Sequence, residues 1–175
     1  MIKLVILDVD GVMTDGTKHY NRFGRVIAKT FCDKDWTTIK RFTSVGVPVV
    51  FITSDPFNRF IFKRKKLNLI ITSGEGFHQD RVNYLEDILS EYDCTPEEVA
   101  YLGHDLQDYG MMNEVGYPYC VYDSPKLIHD VSAVLPCRGG ENAVMHLFEE
   151  LENENLIPSF PYDVIIEKIY KLNQL

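Results

Sequence analysis

Two aspartates near the start of the chain have the spacing that most clearly points to chemistry. Asp8 and Asp10 are followed by Gly11, and a second Asp-Gly pair stands at Asp15 and Gly16. Two carboxylates this close repel each other unless a cation or a proton lies between them. A simple turn explains one Asp-Gly pair, but not the repeated pattern directly after an apolar run. The pattern therefore predicts a carboxylate pair that catalyses a reaction or binds a metal.

A second set of polar residues follows another predicted strand. Thr53 and Ser54 end an apolar run, where a hydroxyl and backbone N–H groups can hold a phosphate oxygen at a helix N-terminus. Ser54 or Asp55 can equally serve as a helix N-cap, with Pro56 in the first helical position. Both interpretations can hold at once.

The elements that must position these residues alternate regularly along the chain. Apolar runs predict strands over residues 3–8, 47–53, 69–71, 99–103, 119–122 and 131–135. Helical spacing and capping signals predict helices over residues 35–44, 56–66, 79–92, 110–115 and 141–152. Strands that alternate with helices indicate an α/β fold with a doubly wound, Rossmann-like parallel sheet, and such sheets place their sites at the carboxyl ends of the strands.

Two segments interrupt this alternation. Residues 16–31 predict a β-hairpin with Gly24 in its turn. Residues 153–175 form a polar C-terminal tail with a predicted helix over residues 162–172, which docks on its own domain or on a neighbour. We therefore expect a single domain over residues 1–152, with the hairpin as an insertion, followed by the tail.

The stretch from Asp8 to Gly16 resembles the first motif of the haloacid dehalogenase-like phosphatases. It is most similar to their 3-deoxy-D-manno-octulosonate 8-phosphate phosphatase branch, and the resemblance extends roughly over residues 2–151. The resemblance implies that Asp8 is the nucleophile, that Asp10 is the general acid/base, and that Mg²⁺ bridges them with the carbonyl of Val9 as a further ligand. The hairpin then stands where larger members carry a cap domain.

The later motifs of this family fit less well. The family's phosphate-neutralising lysine corresponds to Arg81, which could equally be a solvated arginine in a first helical turn. His104 stands where the family has a metal-binding aspartate, with Asp105 as a substitute ligand and Asp108 in its usual supporting place. An imidazole suits Mn²⁺ or Co²⁺ better than Mg²⁺, although His104 could also be a loop histidine without a ligand role.

Four further positions depart from the family pattern near the expected substrate. The relatives have Gly-Arg after the threonine, whereas this chain has Ser54 and Asp55. Trp36 and Asn142 both stand where the relatives have glycine. Because these positions face the substrate in the family, the changes leave open a phosphatase for nucleotides or another sugar, or a non-catalytic protein for assembly or regulation.

Composition limits the partners that we expect. The chain has 175 residues, enough for one domain, and a net charge of −8, which argues against general nucleic-acid binding. No apolar run reaches transmembrane length, and four scattered cysteines are typical of a reducing compartment. We expect a cytoplasmic protein that acts on a small phosphorylated sugar and binds neither nucleic acid nor membrane. The family resemblance implies a homotetramer in which the hairpins meet, since an isolated hairpin is marginally stable.

Overall fold

The computed structural model describes residues 1–72 and 80–172. A six-stranded parallel sheet forms its centre, in the order β5-β4-β1-β6-β7-β8. The strands of this sheet are β1 (Leu4–Asp8), β4 (Val49–Thr53), β5 (Leu69–Ile71), β6 (Val99–Gly103), β7 (Tyr117–Cys120) and β8 (Ala133–Val134). The predicted α/β fold with a doubly wound parallel sheet is confirmed.

Helices cover both faces of this sheet. They are α1 (Asp33–Ser44), α2 (Arg59–Arg64), α3 (Leu85–Tyr92), α4 (Tyr109–Glu114), α5 (Lys126–His129), α6 (Ala143–Asn153) and α7 (Tyr162–Leu172). Val5 and Leu7 of β1 pack into one apolar cluster with α1 and α6, whereas Leu4 and Ile6 pack into the other with α3 and α4. Both faces of β1 are therefore buried, as its uninterrupted apolar sequence predicts.

The predicted hairpin is present as two short antiparallel strands, β2 (His19–Tyr20) and β3 (Val26–Ala28). Gly24 lies in its turn with a φ of 72°, a conformation that glycine adopts without a steric penalty. The hairpin forms a sheet of its own, separate from the central one.

Several predicted boundaries differ from those in the structure. The strand predicted over residues 119–122 is β7 at Tyr117–Cys120, because it pairs with β6 from Tyr117 to Cys120, whereas β8 pairs only with Tyr119 and Cys120. Pro118, which lacks an N–H group, is therefore tolerated on that unpaired side. The helices predicted over residues 56–66 and 79–92 each begin with a 3₁₀ turn, at Pro56–Asn58 and Arg81–Tyr84, before α2 and α3. Gln79, the predicted start of the second, lies outside the described residues.

The C-terminal helix α7 packs against α1 of its own chain. Lys168 donates a hydrogen bond to the carbonyl oxygen of Ser44 at 3.0 Å, and its ammonium group stacks on the Phe160 ring. The tail thus docks on its own domain, one of the two predicted alternatives. Within the described ranges, none of the helices has the length and apolar character needed to cross a membrane.

Candidate active site

The sequence motifs meet at the carboxyl edge of the central sheet. Asp8 is the last residue of β1, Thr53 is the last residue of the adjacent β4, and His104 follows the last residue of β6. Since β4 and β6 flank β1 in register, the loops after these three strands converge. This edge is where open α/β sheets bind their ligands.

The carboxylate of Asp8 is fully buried and contacts two cationic side chains. Its Oδ1 lies 2.8 Å from Nη2 of Arg81 and accepts a hydrogen bond from the N–H of Val9 at 2.6 Å. Its Oδ2 lies 2.6 Å from Nδ1 of His104. Asp8 therefore has no contact with bulk solvent, and its charge is balanced by groups of the protein.

Arg81 is buried and bridges two aspartates. Besides Asp8, its Nη1 contacts Oδ1 of Asp108 at 2.5 Å and the hydroxyl of Tyr101 at 3.2 Å. Burial disfavours its charge, but the neighbouring carboxylates of Asp8 and Asp108 raise the pKa of Arg81 above its usual value. The alternative of a solvated arginine in a first helical turn is wrong.

Asp108 is a fully buried anchor for the loop after β6. Its oxygens accept hydrogen bonds from the Tyr101 hydroxyl at 2.5 Å and from the N–H groups of His104 at 2.7 Å and Asp105 at 3.0 Å. Burial opposes its ionisation, but Arg81 and His104 hold the pKa of Asp108 below its ordinary value. The supporting place predicted for Asp108 agrees with these contacts.

His104 lies between Asp8 and the glycine loop. A Cβ on Gly11, whose φ is 90°, would overlap the His104 ring, so only glycine permits this close approach. Burial lowers the pKa of the imidazole, but the adjacent Asp8 carboxylate outweighs it and raises the pKa of His104 to about 9. His104 thus lies in the site beside Asp8, and its role as a metal ligand stays a prediction.

Donor atoms for a divalent ion are present in this cluster. One ligand atom each from Asp8, His104 and Asp108 lies within 4.8 Å of the others. Two carboxylates and an imidazole form a donor set that Mn²⁺, Co²⁺ or Zn²⁺ accepts and that Mg²⁺ favours less. The residues present therefore fit a divalent ion.

Two other predicted ligands have structural contacts instead. The carbonyl oxygen of Val9 accepts N–H groups of the following turn, including that of Met13 at 2.9 Å, which argues against metal ligation by Val9. The carboxylate of Asp105 accepts the N–H of Leu106 at 2.7 Å, so it caps the 3₁₀ turn at Leu106–Asp108. Asp105 does not join the cluster of Asp8, His104 and Asp108.

Asp10 has partners of its own, separate from those of Asp8. Its Oδ2 accepts hydrogen bonds from Thr53 Oγ1 at 3.0 Å and from Asn58 Nδ2 at 2.9 Å, and its Oδ1 lies 2.5 Å from Nζ of Lys29. Thr53 is thus joined to the carboxylate pair. Ser54, in contrast, is exposed and makes no hydrogen bond through its side chain in the described part of the chain.

The predicted N-cap after β4 is Asp55. Its carboxylate accepts the N–H of Phe57 at 2.9 Å, and its own N–H donates to Oγ1 of Thr53 at 3.0 Å. Of the two capping alternatives, the structure therefore has Asp55 and not Ser54. The cap and the contact of Thr53 with the site coexist.

Three residues of the site were not predicted from the sequence. Lys29 follows the hairpin, Asn58 ends a 3₁₀ turn, and Tyr101 lies inside an apolar strand, so none stands in a motif. The one available signal was the position of Tyr101 two residues before the end of a predicted strand. Neither Lys29 nor Asn58 carried a pattern that distinguished it from a surface residue.

The chain has a parallel sheet with paired aspartates at the end of its central strand, a basic residue in contact with the first aspartate, and a hairpin beside them. These features define it as a haloacid dehalogenase-like hydrolase. No protein-family model matches the chain. It is 32% identical over 144 residues to the 3-deoxy-D-manno-octulosonate 8-phosphate phosphatase KdsC of Yersinia pestis, covering 82% of this chain and 75% of that protein. The chain belongs to the KdsC family of phosphatases.

Solved structures agree with this assignment. The cobalt-bound deoxy-D-mannose-octulosonate 8-phosphate phosphatase of Haemophilus influenzae has a TM-score of 0.77 and 26% identity, and the match covers 88% of this chain and 90% of that one. The 3-deoxy-D-manno-octulosonate 8-phosphate phosphatase of Moraxella catarrhalis, in complex with magnesium, phosphate and KDO, has the same TM-score and identity, covering 88% of each chain.

Proposed function

We propose that this protein is a metal-dependent phosphatase of a small phosphorylated sugar, either a 3-deoxy-ulosonate or a sialic-acid-like sugar phosphate. The observation that carries the proposal is the contact of Arg81 with Asp8 at the end of the central strand, beside the separately held Asp10. A nucleophilic carboxylate needs a nearby cation to accept a dianionic phosphate, and Arg81 provides one. The names of the relatives, all phosphatases of 3-deoxy-D-manno-octulosonate 8-phosphate, support the substrate class.

The chemistry has two half-reactions. In the first, a carboxylate oxygen of Asp8 attacks phosphorus, the phosphorus–oxygen bond to the sugar breaks, and Asp10 gives a proton to the leaving oxygen. In the second, Asp10 takes a proton from water, the water oxygen attacks phosphorus, and Asp8 is released with inorganic phosphate. Thr53, Ser54 and Arg81 hold the phosphate oxygens in this proposal.

The proposed cofactor is Mg²⁺, with Mn²⁺ or Co²⁺ as alternatives, held by Asp8, His104 and Asp108, whose donor atoms lie together, with Asp10 as a further proposed ligand. When bound, such an ion reduces the repulsion between the Asp8 carboxylate and the incoming phosphate. Metal-bound structures of the relatives support this choice, since one holds cobalt and another magnesium.

A second candidate function is a non-catalytic role in assembly or regulation. The observation that favours it is the mutual pairing of the charged side chains of the site, with Asp8 on Arg81 and His104 and with Asp10 on Lys29. A buried pair of carboxylates that is already neutralised can persist without a ligand, although such pairs contribute little net stability.

Phosphate release separates these functions. The purified protein is incubated with sugar phosphates, including 3-deoxy-D-manno-octulosonate 8-phosphate, and with nucleotides, each in the presence of Mg²⁺, Mn²⁺ or Co²⁺. We expect release from a sugar phosphate and none from the Asp8→Asn variant. Release from a nucleotide alone would replace the substrate class, and no release with any combination would favour the non-catalytic role.

We further propose that the protein is a cytoplasmic homotetramer built through its hairpins. Tyr20, Phe23 and Ile27 of the hairpin are between 58% and 71% exposed, which supports a covered surface in an assembly. The division into a domain over residues 1–152 and a tail over residues 153–175 remains a prediction.

A further inference from the structure

Lys29 is a buried ammonium group beside the reactive carboxylates. It follows β3 directly, and its side chain is 0% exposed. Its Nζ lies 2.5 Å from Oδ1 of Asp10 and 2.7 Å from Oδ2 of Asp55. It also donates a hydrogen bond to Oδ1 of Asn58 at 3.1 Å. The ammonium group therefore donates two hydrogen bonds, to Asp10 and Asn58, and forms an ion pair with Asp55, so its buried charge is compensated.

The partners of Lys29 also fix the orientation of Asp10. Asn58, which is fully buried, accepts from Lys29 and donates to Oδ2 of Asp10, so one side chain touches both ends of the ion pair. Thr53 donates to the same Oδ2. With donors on both oxygens, the Asp10 carboxylate has one orientation, and Lys29 supplies the single contact to Oδ1 among the described residues.

Asp55 is the second carboxylate that contacts Lys29. It forms ion pairs with Lys29 and with Lys18 at 2.8 Å, so lysines from both flanks of the hairpin converge on one carboxylate. Burial opposes the charge of Asp55, but the two lysines and the N–H of Phe57 lower its pKa to about 2. Asp55 thus remains an anion at all ordinary pH values and keeps Lys29 in place.

We propose that Lys29 is a positioning residue for the acid/base carboxylate of Asp10, and that Asp55 is the residue that places Lys29. This role rests on the proposed function, since Asp10 acts as an acid only if the protein transfers a phosphoryl group. The alternative is a purely structural role, in which Lys29 attaches the hairpin to the domain and has no specific effect on proton transfer.

Two phosphate esters distinguish these roles. The p-nitrophenolate group leaves without a proton, whereas the alkoxide of a sugar phosphate needs one from Asp10. For Lys29→Met we expect kcat on the sugar phosphate to fall about 100-fold, kcat on p-nitrophenyl phosphate to fall less than about fivefold, and both KM values to change little. Lys29→Arg, which keeps the charge, should recover part of the loss on the sugar phosphate.

Lys18→Met is the matched control, because Lys18 shares Asp55 with Lys29 but does not contact Asp10. The ratio of kcat on the sugar phosphate to kcat on p-nitrophenyl phosphate should be the same in this variant as in the unchanged protein. Equal losses on both esters in Lys29→Met, or the same change of ratio in Lys18→Met, would overturn the positioning role. If the unchanged protein cleaves neither ester, the proposed function itself fails and this role fails with it.

Folding is measured separately by thermal unfolding. Removing Lys29 leaves Asp10 without its basic partner and Asp55 with Lys18 alone, so we expect a fall in Tm of roughly 5–10 °C. The fall should be less than half as large in a background that carries both Asp10→Asn and Asp55→Asn. If Lys29→Met does not fold, Asp55→Asn tests the same role, since it should lower the ratio of the two kcat values in the same direction; an unchanged ratio would contradict the proposal.

Discussion

His104 is the residue at which the site departs furthest from its family. It places an imidazole, 2.6 Å from Asp8, where the family pattern has a carboxylate, so the proposed metal site has one anionic ligand fewer than that pattern. Hard ions such as Mg²⁺ depend on carboxylate charge more than Mn²⁺ or Co²⁺ do. The residue therefore bears on which ion supports activity, more than on whether Asp8 can act as a nucleophile.

We expect Mn²⁺ or Co²⁺ to support a higher rate of phosphate release than Mg²⁺ in the unchanged protein. His104→Asp should reverse this order and tighten Mg²⁺ binding about tenfold, because it restores an anionic ligand beside Asp8. Phosphate release and calorimetric titration with each ion measure the two effects. His146→Asp, on α6, is the control and should change neither. A clear preference of the unchanged protein for Mg²⁺ would contradict the assignment of His104 as a ligand.

Replacement of the nucleophile has a simpler expected result. Asp8→Asn should lower turnover at least about 1,000-fold, because the amide cannot attack phosphorus. The circular dichroism spectrum should remain that of the unchanged protein, since the amide oxygen can still accept from Val9 and Arg81. Asp105→Asn, whose side chain only caps a turn, is the control with nearly full activity. Full turnover by Asp8→Asn would remove the nucleophile assignment.

Site residues that belong to a local sequence motif were predicted from the sequence. Site residues that only the tertiary structure brings to the site were not. Asp8, Asp10 and Thr53 end or follow strands, so strand prediction alone brings them together. Arg81 needed the structure, because a buried and a solvated arginine look alike in sequence. Lys29 was missed because its position depends on the path of the hairpin, which no local pattern specifies.

At the scale of secondary-structure elements, a buried acid links α1 to α6. Oδ1 of Asp35 accepts the N–H groups of Val144 at 3.1 Å and Met145 at 3.3 Å, at the start of α6, while Oδ2 is buried without a hydrogen-bond partner in the described part of the chain. Burial raises the pKa of Asp35 to about 6, and the two N–H groups oppose this only in part. The acid therefore makes the packing of α1 on α6 dependent on pH.

The sign of this dependence follows from linkage. The pKa of Asp35 is higher in the folded protein than the value of about 4 in an unfolded chain, so its contribution to stability is full below pH 4 and is lost as pH rises through 6. The free energy of unfolding of Asp35→Asn, relative to that of the unchanged protein, should therefore rise by on the order of 2 kcal/mol when the pH is raised from 4.5 to 7.5. Urea unfolding at both pH values measures the difference.

Asp33→Asn is the control for this measurement, because Asp33 is exposed in the same turn of α1. Its free energy of unfolding relative to the unchanged protein should stay nearly constant over this range. An equally constant difference for Asp35→Asn would show that burial does not raise the pKa of this acid.

Two departures from the family pattern have a structural explanation at this scale. Trp36 is buried among Phe31 and Phe62, with ring centroids 5.3 and 5.6 Å away, so it packs in the core and does not line the substrate entrance. Asn142 has a φ of 65°, a conformation that asparagine tolerates better than most residues, and it accepts a hydrogen bond from Cys32. Sequence comparison shows which residue changed at these two positions, but not which way its side chain faces.

The strand boundaries show where sequence prediction is weakest. The presence and parallel arrangement of all six sheet strands followed from apolar runs that alternate with helices, because buried parallel strands are apolar throughout. The ends of β7 and β8 did not, since they depend on how far each strand pairs with its neighbour. Pairing is a property of the whole sheet and leaves no local signal.

For the whole molecule, the charge of the site differs from that of the chain. The protein carries a net charge of −8, yet the acids of the site, Asp8, Asp10, Asp55 and Asp108, lie against the bases Lys18, Lys29, Arg81 and His104. Local pairing therefore gives an anionic substrate a nearly neutral site within an acidic protein, since the field at close range depends on the nearest charges.

The exposed apolar side chains of the hairpin lead to a prediction about assembly. If the hairpins meet between subunits, sedimentation should give about four times the chain mass of 20.2 kDa, and replacing both Phe23 and Ile27 with serine should give monomers. Phe60→Ser is the matched control: Phe60 is 83% exposed on α2, outside the hairpin, so its loss should leave the assembly intact.

Because Lys18 and Lys29 flank the hairpin and bind Asp55, separating the subunits should also lower phosphatase activity. A monomeric unchanged protein, or equal effects at Phe60 and at the hairpin, would contradict assembly through this surface.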